Sequence, residues 1–166
     1  MELKEYGRII ENDSSSGRFV SADPNKCSGC GICELVCALK KENLFDPSLS
    51  RIKVVRLLGL VNLTSACVFC ENAPCVEACP RQALLSSEKK IIKVDTNKCN
   101  GCGWCIQACK YGAIRLHPEK TSVLICDLCE GDPECIKWCP EGALDLRSMD
   151  SFNRILKQTL IKKLLG

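Results

Sequence analysis

A chain of 166 residues is long enough for one domain or two small ones, and with 5% aromatic residues it lacks the rings of a large ordinary core. Its formal net charge of +3 is too small to argue for nucleic acid, and no run of about 18 apolar residues is present to span a bilayer. The exception is cysteine, at 16 residues, a density that means disulfides, zinc or iron–sulfur clusters.

In chain order, the opening MELKEYGRIIENDSSSG has no apolar core, twin arginine or cleavage site of an export signal. Residues 1–19 therefore read as a polar, flexible lead in a cytoplasmic protein, where a reducing environment favours metal over disulfides. CSGCGICELVC then carries Cys27, Cys30, Cys33 and Cys37, with the last on a departing helical turn. IKVVRLLGLV follows as one strand or two with one face buried. The second cysteine group is Cys67, Cys70, Cys75 and Cys79, followed by Pro80; ALLS and IIKVD read as short strands joined by the polar turn SEKK. Next come Cys99, Cys102, Cys105 and Cys109, then AIRLHPEKTSVLI as a hairpin turning at HPEK. The fourth group is Cys126, Cys129, Cys135 and Cys139, followed by Pro140. The end of the chain, MDSFNRILKQTLIKKLLG, repeats Phe152, Ile155, Leu156, Thr159, Leu160 and Leu164 at helical spacing, with Asp150 or Ser151 as the cap.

All sixteen cysteines fall into four sets of four. The first and third share C-x2-C-x2-C-x3-C and the lead-ins DPNKC and DTNKC; the second and fourth share a longer gap before C-x3-CP and end in CPRQAL and CPEGAL. The chain reads as a duplicated two-motif unit. Three thiolates two residues apart wrap a tight loop around three iron corners of a cubane, with backbone N–H groups turned inward to the sulfurs; the fourth points away, toward a neighbouring cluster, as in two-cluster bacterial ferredoxins. Glycines at 29, 31, 101 and 103 fit those turns. Zinc prefers two C-x2-C knuckles separated by a longer loop, and four cysteines within eleven residues, twice, fit it poorly.

With LFDPSLSRIKVV and ICDLCEGDPECIKWCPEGAL as further matches, residues 20–146 resemble the four-cluster ferredoxin-like (polyferredoxin) subunits of molybdenum and tungsten oxidoreductases. The likeness is greatest to the small subunit of tungsten-containing aldehyde oxidoreductases. The resemblance implies an α+β fold of tandem, interleaved two-cluster ferredoxin-like units. The outer half would be 20–63 with 111–146, the inner half 64–110, and 147–166 a docking helix. It also implies four [4Fe–4S] clusters, held by Cys27, Cys30, Cys33 with Cys139; by Cys126, Cys129, Cys135 with Cys37; by Cys67, Cys70, Cys75 with Cys109; and by Cys99, Cys102, Cys105 with Cys79. The ferredoxin-like connector between Cys79 and Cys99 supports the inner pairings independently, whereas the outer ones rest on the resemblance. No motif-three cysteine is replaced, since Trp104 lies beside Cys105. Ala38 and Lys110 stand where two-cluster ferredoxins place proline; Lys110 either raises a nearby potential or is simply solvated.

Four oxidised clusters with their thiolates would add about −8, turning the formal +3 into about −5. No radical-SAM, dinucleotide, P-loop or zincin motif is present, and His117 reads as a surface turn residue rather than a ligand or proton relay. The expectation is an electron-transfer subunit without catalysis of its own. It would link a larger tungsten or molybdenum pterin subunit to a soluble carrier such as ferredoxin, with no nucleic acid or transmembrane partner. Service to a hydrogenase, formate dehydrogenase or carbon monoxide dehydrogenase, or life as a free-standing polyferredoxin, are the alternatives. The C-terminal helix docks a partner, lies on an anionic membrane surface, or packs on its own core. Low glutamine with abundant lysine, glutamate, isoleucine and leucine hints at a thermophilic source, and the resemblance implies an anaerobic one.

Overall fold

The structure, a computed structural model, describes residues 17–57, 59–87 and 90–165. Most of the expected polar lead, residues 1–16, and the centre of the SEKK turn therefore lie outside the described residues. Short strands and short helices alternate: β1 Phe19–Ala22, α1 Ile32–Glu42, β2 Lys53–Leu57, β3 Val61–Ser65, α2 Pro74–Glu77, β4 Leu84–Ser86, β5 Ile92–Val94, α3 Trp104–Ala108, β6 Arg115–Leu116, β7 Val123–Leu124, α4 Glu134–Lys137, β8 Leu144–Arg147 and α5 Met149–Leu165. The strands form two-stranded antiparallel ladders, β1–β8, β2–β3, β4–β5 and β6–β7. This is the expected mixed helix-and-strand architecture, built of small two-stranded ladders.

The internal duplication is visible in the hydrogen bonds. β4 follows Cys79-Pro80 and pairs with β5, which leads into Asp95; β8 follows Cys139-Pro140 and pairs with β1, which leads into Asp23. At both places an aspartate amide donates to an alanine carbonyl, Asp95 to Ala83 and Asp23 to Ala143, each at 2.8 Å. In both, the aspartate carbonyl receives the N–H of the first cysteine, Cys99 or Cys27, at 3.0 Å. The aspartate carboxylates then fix the turns by accepting from the amides of Asn97 and Asn25, at 3.0 and 2.9 Å. Phe19 opposes Arg147 in the β1–β8 ladder, so strands 125 or so residues apart in sequence close the first motif onto the fourth.

Two apolar cores follow from this. One gathers Phe69, Leu84, Ile92, Ile114, Val123 and Ile125 around the second and third motifs. The other gathers Val20, Ala22, Ile52, Ala66 and Leu144 around the first and fourth. Cys126 and Leu128 pack against both. α1 packs on α4 and α2 on α3. IKVVRLLGLV resolves into the β2–β3 hairpin, whose Ile52 and Val61 are buried while Val55 and Leu57 stay exposed. α5 begins at Met149, earlier than a cap at Asp150 or Ser151 would allow, and its cap is Ser148, whose hydroxyl accepts from the Ser151 amide. Phe152 meets Phe19 edge to face at 5.8 Å, and Thr159 is buried, accepting from the Asn25 amide side chain at 2.7 Å.

Candidate iron–sulfur centres

Each motif places its cysteines by the same backbone device. The residue before the second cysteine has a left-handed φ in all four: Gly29 (74°), Phe69 (53°), Gly101 (67°) and Leu128 (57°). Glycine takes this conformation freely; a side chain does so at a cost of roughly 1–2 kcal/mol. At Gly29 there is a second requirement, since a Cβ would lie 3.1 Å from the Asn62 amide, which holds the Cys27 carbonyl at 2.8 Å. Strain kept at Phe69 and Leu128 marks them as parts of a built site. Sequence reasoning found the glycines and missed these two, whose only signal was their alignment with glycine in the sister motifs.

Departure from each motif also recurs, with one exception. After Cys79 and Cys139 the chain turns through Gln82 (φ 50°) and Gly142 (φ 54°), and the amides of Ala83 and Ala143 donate to the two sulfurs at 3.3 and 3.4 Å. After Cys37 no proline intervenes, so α1 runs on to Glu42, and the amide that reaches the Cys37 sulfur comes from Arg51 at 3.2 Å. Lys110, the other residue in place of proline, is exposed and stands 5.3 Å over the Tyr111 ring.

The cysteines gather across motifs. One recess of about 330 Å³, counting its mouth, is lined by Cys37, Cys126, Cys129 and Cys135. A second, of about 310 Å³, is lined by Cys79, Cys99, Cys102 and Cys105, and a third, of about 380 Å³, by Cys67, Cys70, Cys75 and Cys109. In each, three sulfurs come from one motif and the fourth from another. Of the remaining four, Cys27 and Cys30 neighbour Cys33, and Cys27 and Cys139 pack on the core that includes Cys33. The sets also adjoin one another: Cys135 neighbours Cys33, and Cys126 neighbours Cys67. With α2 packed on α3, they run in series from the Cys27 set through the Cys126 and Cys67 sets to the Cys99 set. The two exposed cysteines, Cys30 and Cys102, belong to the two ends, and the exposed tryptophans Trp138 and Trp104 flank Cys139 and Cys105 there.

The donor set fits a cluster better than a single ion. Around one zinc with bonds of about 2.3 Å, four sulfurs would crowd within about 4 Å of each other. Among the described residues no three His, Cys, Asp or Glu side chains converge in that way. The sulfurs instead stand four around each of three recesses, an all-cysteine donor set of the kind that holds a cubane. Burial pushes the Cys33 and Cys67 thiols up to about 12 and that of Cys105 to about 11, with neighbouring thiols adding to the effect. Such thiols give up their protons only to a positive counter-charge, which iron would supply. At Cys79 slight burial is outweighed by the surrounding amides of Ala83, Arg81, Leu84 and Gln82, and its thiol is held below the ordinary value.

His117 differs from its expected surface place. It lies in the β6–β7 connection, but its ring folds back so that Nδ1 accepts from the amides of Glu119 and Lys120, each at 3.1 Å, and only 4% of the side chain is exposed. Its Nε2 faces Glu42 at 3.7 Å. Burial opposes ionisation of Glu42, but hydrogen bonds from Lys120 and Arg51 outweigh it and hold the carboxyl down at about 2. Among the described residues no helix is long and apolar enough to cross a membrane.

A family of 4Fe–4S binding domains matches residues 92–115, the stretch containing the third motif. Over 86 residues the chain is 44% identical to the polyferredoxin-like subunit of an aliphatic sulfonate oxidoreductase of Pyrococcus furiosus, a match covering 51% of this chain and 50% of the relative. It is 35% identical over 92 residues to the electron transport protein HydN of Escherichia coli, covering 51% of each. The chain thus matches about half the length of these relatives, one named as a polyferredoxin-like subunit and the other as an electron transport protein. A solved structure of the BamBC active-site complex of benzoyl coenzyme A reductase with benzoyl-CoA aligns over 88% of this chain and 89% of its own, at 25% identity and a TM-score of 0.46.

Proposed function

We propose that this chain is an electron-transfer iron–sulfur subunit holding four [4Fe–4S] clusters on its sixteen cysteines, in the four cross-motif sets described above. It passes electrons between a larger catalytic subunit and a soluble acceptor such as ferredoxin, and it works in the cytoplasm of an anaerobe. The observation that carries this reading is the gathering of four cysteines from two motifs around each of three recesses. When bound, four-iron clusters supply one-electron carriers whose potentials respond to nearby charge, hydrogen bonds and exposure. The chain's own part is to hold the thiolates, to aim amides at their sulfurs and to exclude water from the two inner sets. On this reading residues 20–63 with 111–146 form the outer half, 64–110 the inner half, and the ends marked by Cys30 and Cys102 are where electrons enter and leave. The stripe of α5 made by half-buried Leu156 and Leu160 with exposed Ile161 and Leu164 is the docking face of the segment 147–166.

The partner that fits the resemblance best is a tungstopterin aldehyde oxidoreductase. A sulfonate-oxidising partner is the second reading, favoured by the name of the 44% identical relative. Anaerobic affinity purification of the chain from its native cells, followed by metal analysis of what copurifies, tests both. A larger chain with tungsten that oxidises aldehydes supports the first; the same metal with activity only on sulfonates supports the second. Nickel would move the partner to a hydrogenase or carbon monoxide dehydrogenase, and full iron with no partner would leave a free-standing polyferredoxin.

A further inference from the structure

The turns that deliver Cys27 and Cys99 are copies of one another, but they differ in what stands against them. In the first, the Asn25 side chain donates to the Asp23 carboxylate at 3.2 Å and to the Thr159 hydroxyl of α5 at 2.7 Å. Its counterpart Asn97 makes only the backbone bond to the Asp95 carboxylate among the described residues. Thr159 is 1% exposed, a hydroxyl in a stripe otherwise made of Phe152, Ile155, Leu156 and Leu160. Burying a hydroxyl is unfavourable unless it is hydrogen-bonded, and this one is bonded twice. It donates to the Ile155 carbonyl one turn back at 2.9 Å, which leaves its lone pairs for Asn25.

A second tie reaches the same cysteine from its other side. Lys163, one turn beyond Thr159, donates to the Leu60 carbonyl at 2.5 Å, in the turn between β2 and β3. Two residues on, the Asn62 side chain holds the Cys27 carbonyl at 2.8 Å, while the Cys27 amide is held by the Asp23 carbonyl at 3.0 Å. The N–H and the C=O of Cys27 are therefore each held by a segment that α5 fastens. We propose that Thr159 is a positioning residue for the end cluster of the series, the one that takes Cys27, because through Asn25 it fixes the turn that delivers that ligand. The proposal rests on the reading that Cys27 is a cluster ligand. It makes α5 and the end cluster one mechanical unit: loosening the inner face of the helix frees iron from this cluster and not from the other three.

The test uses the full chain carrying its clusters, held under anaerobic conditions with an excess of a ferrous-iron chelator. Absorbance reads the iron released, and electron paramagnetic resonance of the reduced protein follows each cluster. Thr159→Val keeps the branched shape and removes the acceptor. It should speed iron loss from one cluster by between about threefold and tenfold, the worth of one hydrogen bond, and leave the others at their original rate. The signal that decays early should be the one that Cys27→Ser alters or removes. Thr159→Ser, which keeps the hydroxyl, should return the rate to that of the unaltered chain. Asn25→Ala should act as Thr159→Val does, and Asn97→Ala should affect its own cluster less than Asn25→Ala affects the first. Iron lost from Thr159→Val at the unaltered rate, or from all clusters alike, would overturn the proposal; so would a serine variant as labile as the valine one. Should Thr159→Val fail to load, Asn25→Ala decides, because Asn25 is a surface residue. Iron held there as firmly as in the unaltered chain would overturn the proposal. A first motif without iron in the unaltered protein would instead overturn the four-cluster reading on which it rests.

Discussion

The left-handed residues before the second cysteines show how little freedom each motif has. Where the sister motifs use Gly29 and Gly101, Phe69 and Leu128 hold the same conformation, and Phe69 is buried in the core while doing so. What these turns achieve is a fixed direction for each sulfur, so the ligand sets can be tested one residue at a time. Cys109 lies in the third motif but lines the recess of Cys67, Cys70 and Cys75. Cys109→Ala should therefore cost the second motif its cluster, lowering bound iron by about four per chain, and leave the cluster of Cys99, Cys102 and Cys105 intact. Iron analysis with paramagnetic resonance reads this; loss of the third motif's own signal would show that the sets are assigned wrongly. At Glu42 the sign of the pH effect is set by its low carboxyl value. The folded carboxyl stays charged down to about 2, whereas an unfolded one takes up its proton near 4.5. Its contribution is thus complete above 4.5 and lost as pH falls toward 2. Unfolding midpoints of wild type and Glu42→Gln should differ most above pH 4.5 and converge below it; a gap that widens on acidification would contradict the arrangement around Lys120, Arg51 and His117.

Among the elements, α5 serves two roles on two faces. Phe152 and Thr159 tie it to Phe19 and Asn25, and the Lys163 ammonium donates to the Leu60 carbonyl at 2.5 Å, so one face belongs to the chain's own core. Leu164, 66% exposed, stands on the other. Phe152→Ala should cost about 2 kcal/mol in denaturant unfolding, less than a fully buried phenylalanine because the ring is only half-buried. Leu164→Asp should change stability by less than about 0.5 kcal/mol and, if this stripe docks a partner, reduce what copurifies. The strands show where the sequence was readable and where it was not. β4, β5, β6 and β7 lie between neighbouring motifs, and turn residues with alternating apolar positions announced them. β1 was hidden. FVSA is four residues long and buried at every position, so it has no alternation to see, and its partner β8 lies at the far end of the chain. His117 was misplaced for a related reason: a polar turn motif gives the path of the backbone, not whether a ring folds back under it.

For the molecule as a whole, the cysteine spacing made the cluster chemistry legible, because thiolate separation along the chain is dictated by the shape of the cubane. The order of the sets in space was not legible. It depends on which sets lie near one another, Cys135 near Cys33 and Cys126 near Cys67, and that is set by the closure of β1 on β8 and by the packing of the two cores. That order leaves two sets without an exposed cysteine between two ends with exposed cysteine and tryptophan, an arrangement suited to conduction between two surfaces rather than to storage at one. The number and kind of metal centres decide whether the chain carries electrons. The most direct measurement is iron, zinc and acid-labile sulfide per chain in protein purified anaerobically from its native cells. About sixteen irons and sixteen sulfides, with negligible zinc, is the predicted result. Zinc at one ion for every four cysteines, with no sulfide, would contradict it.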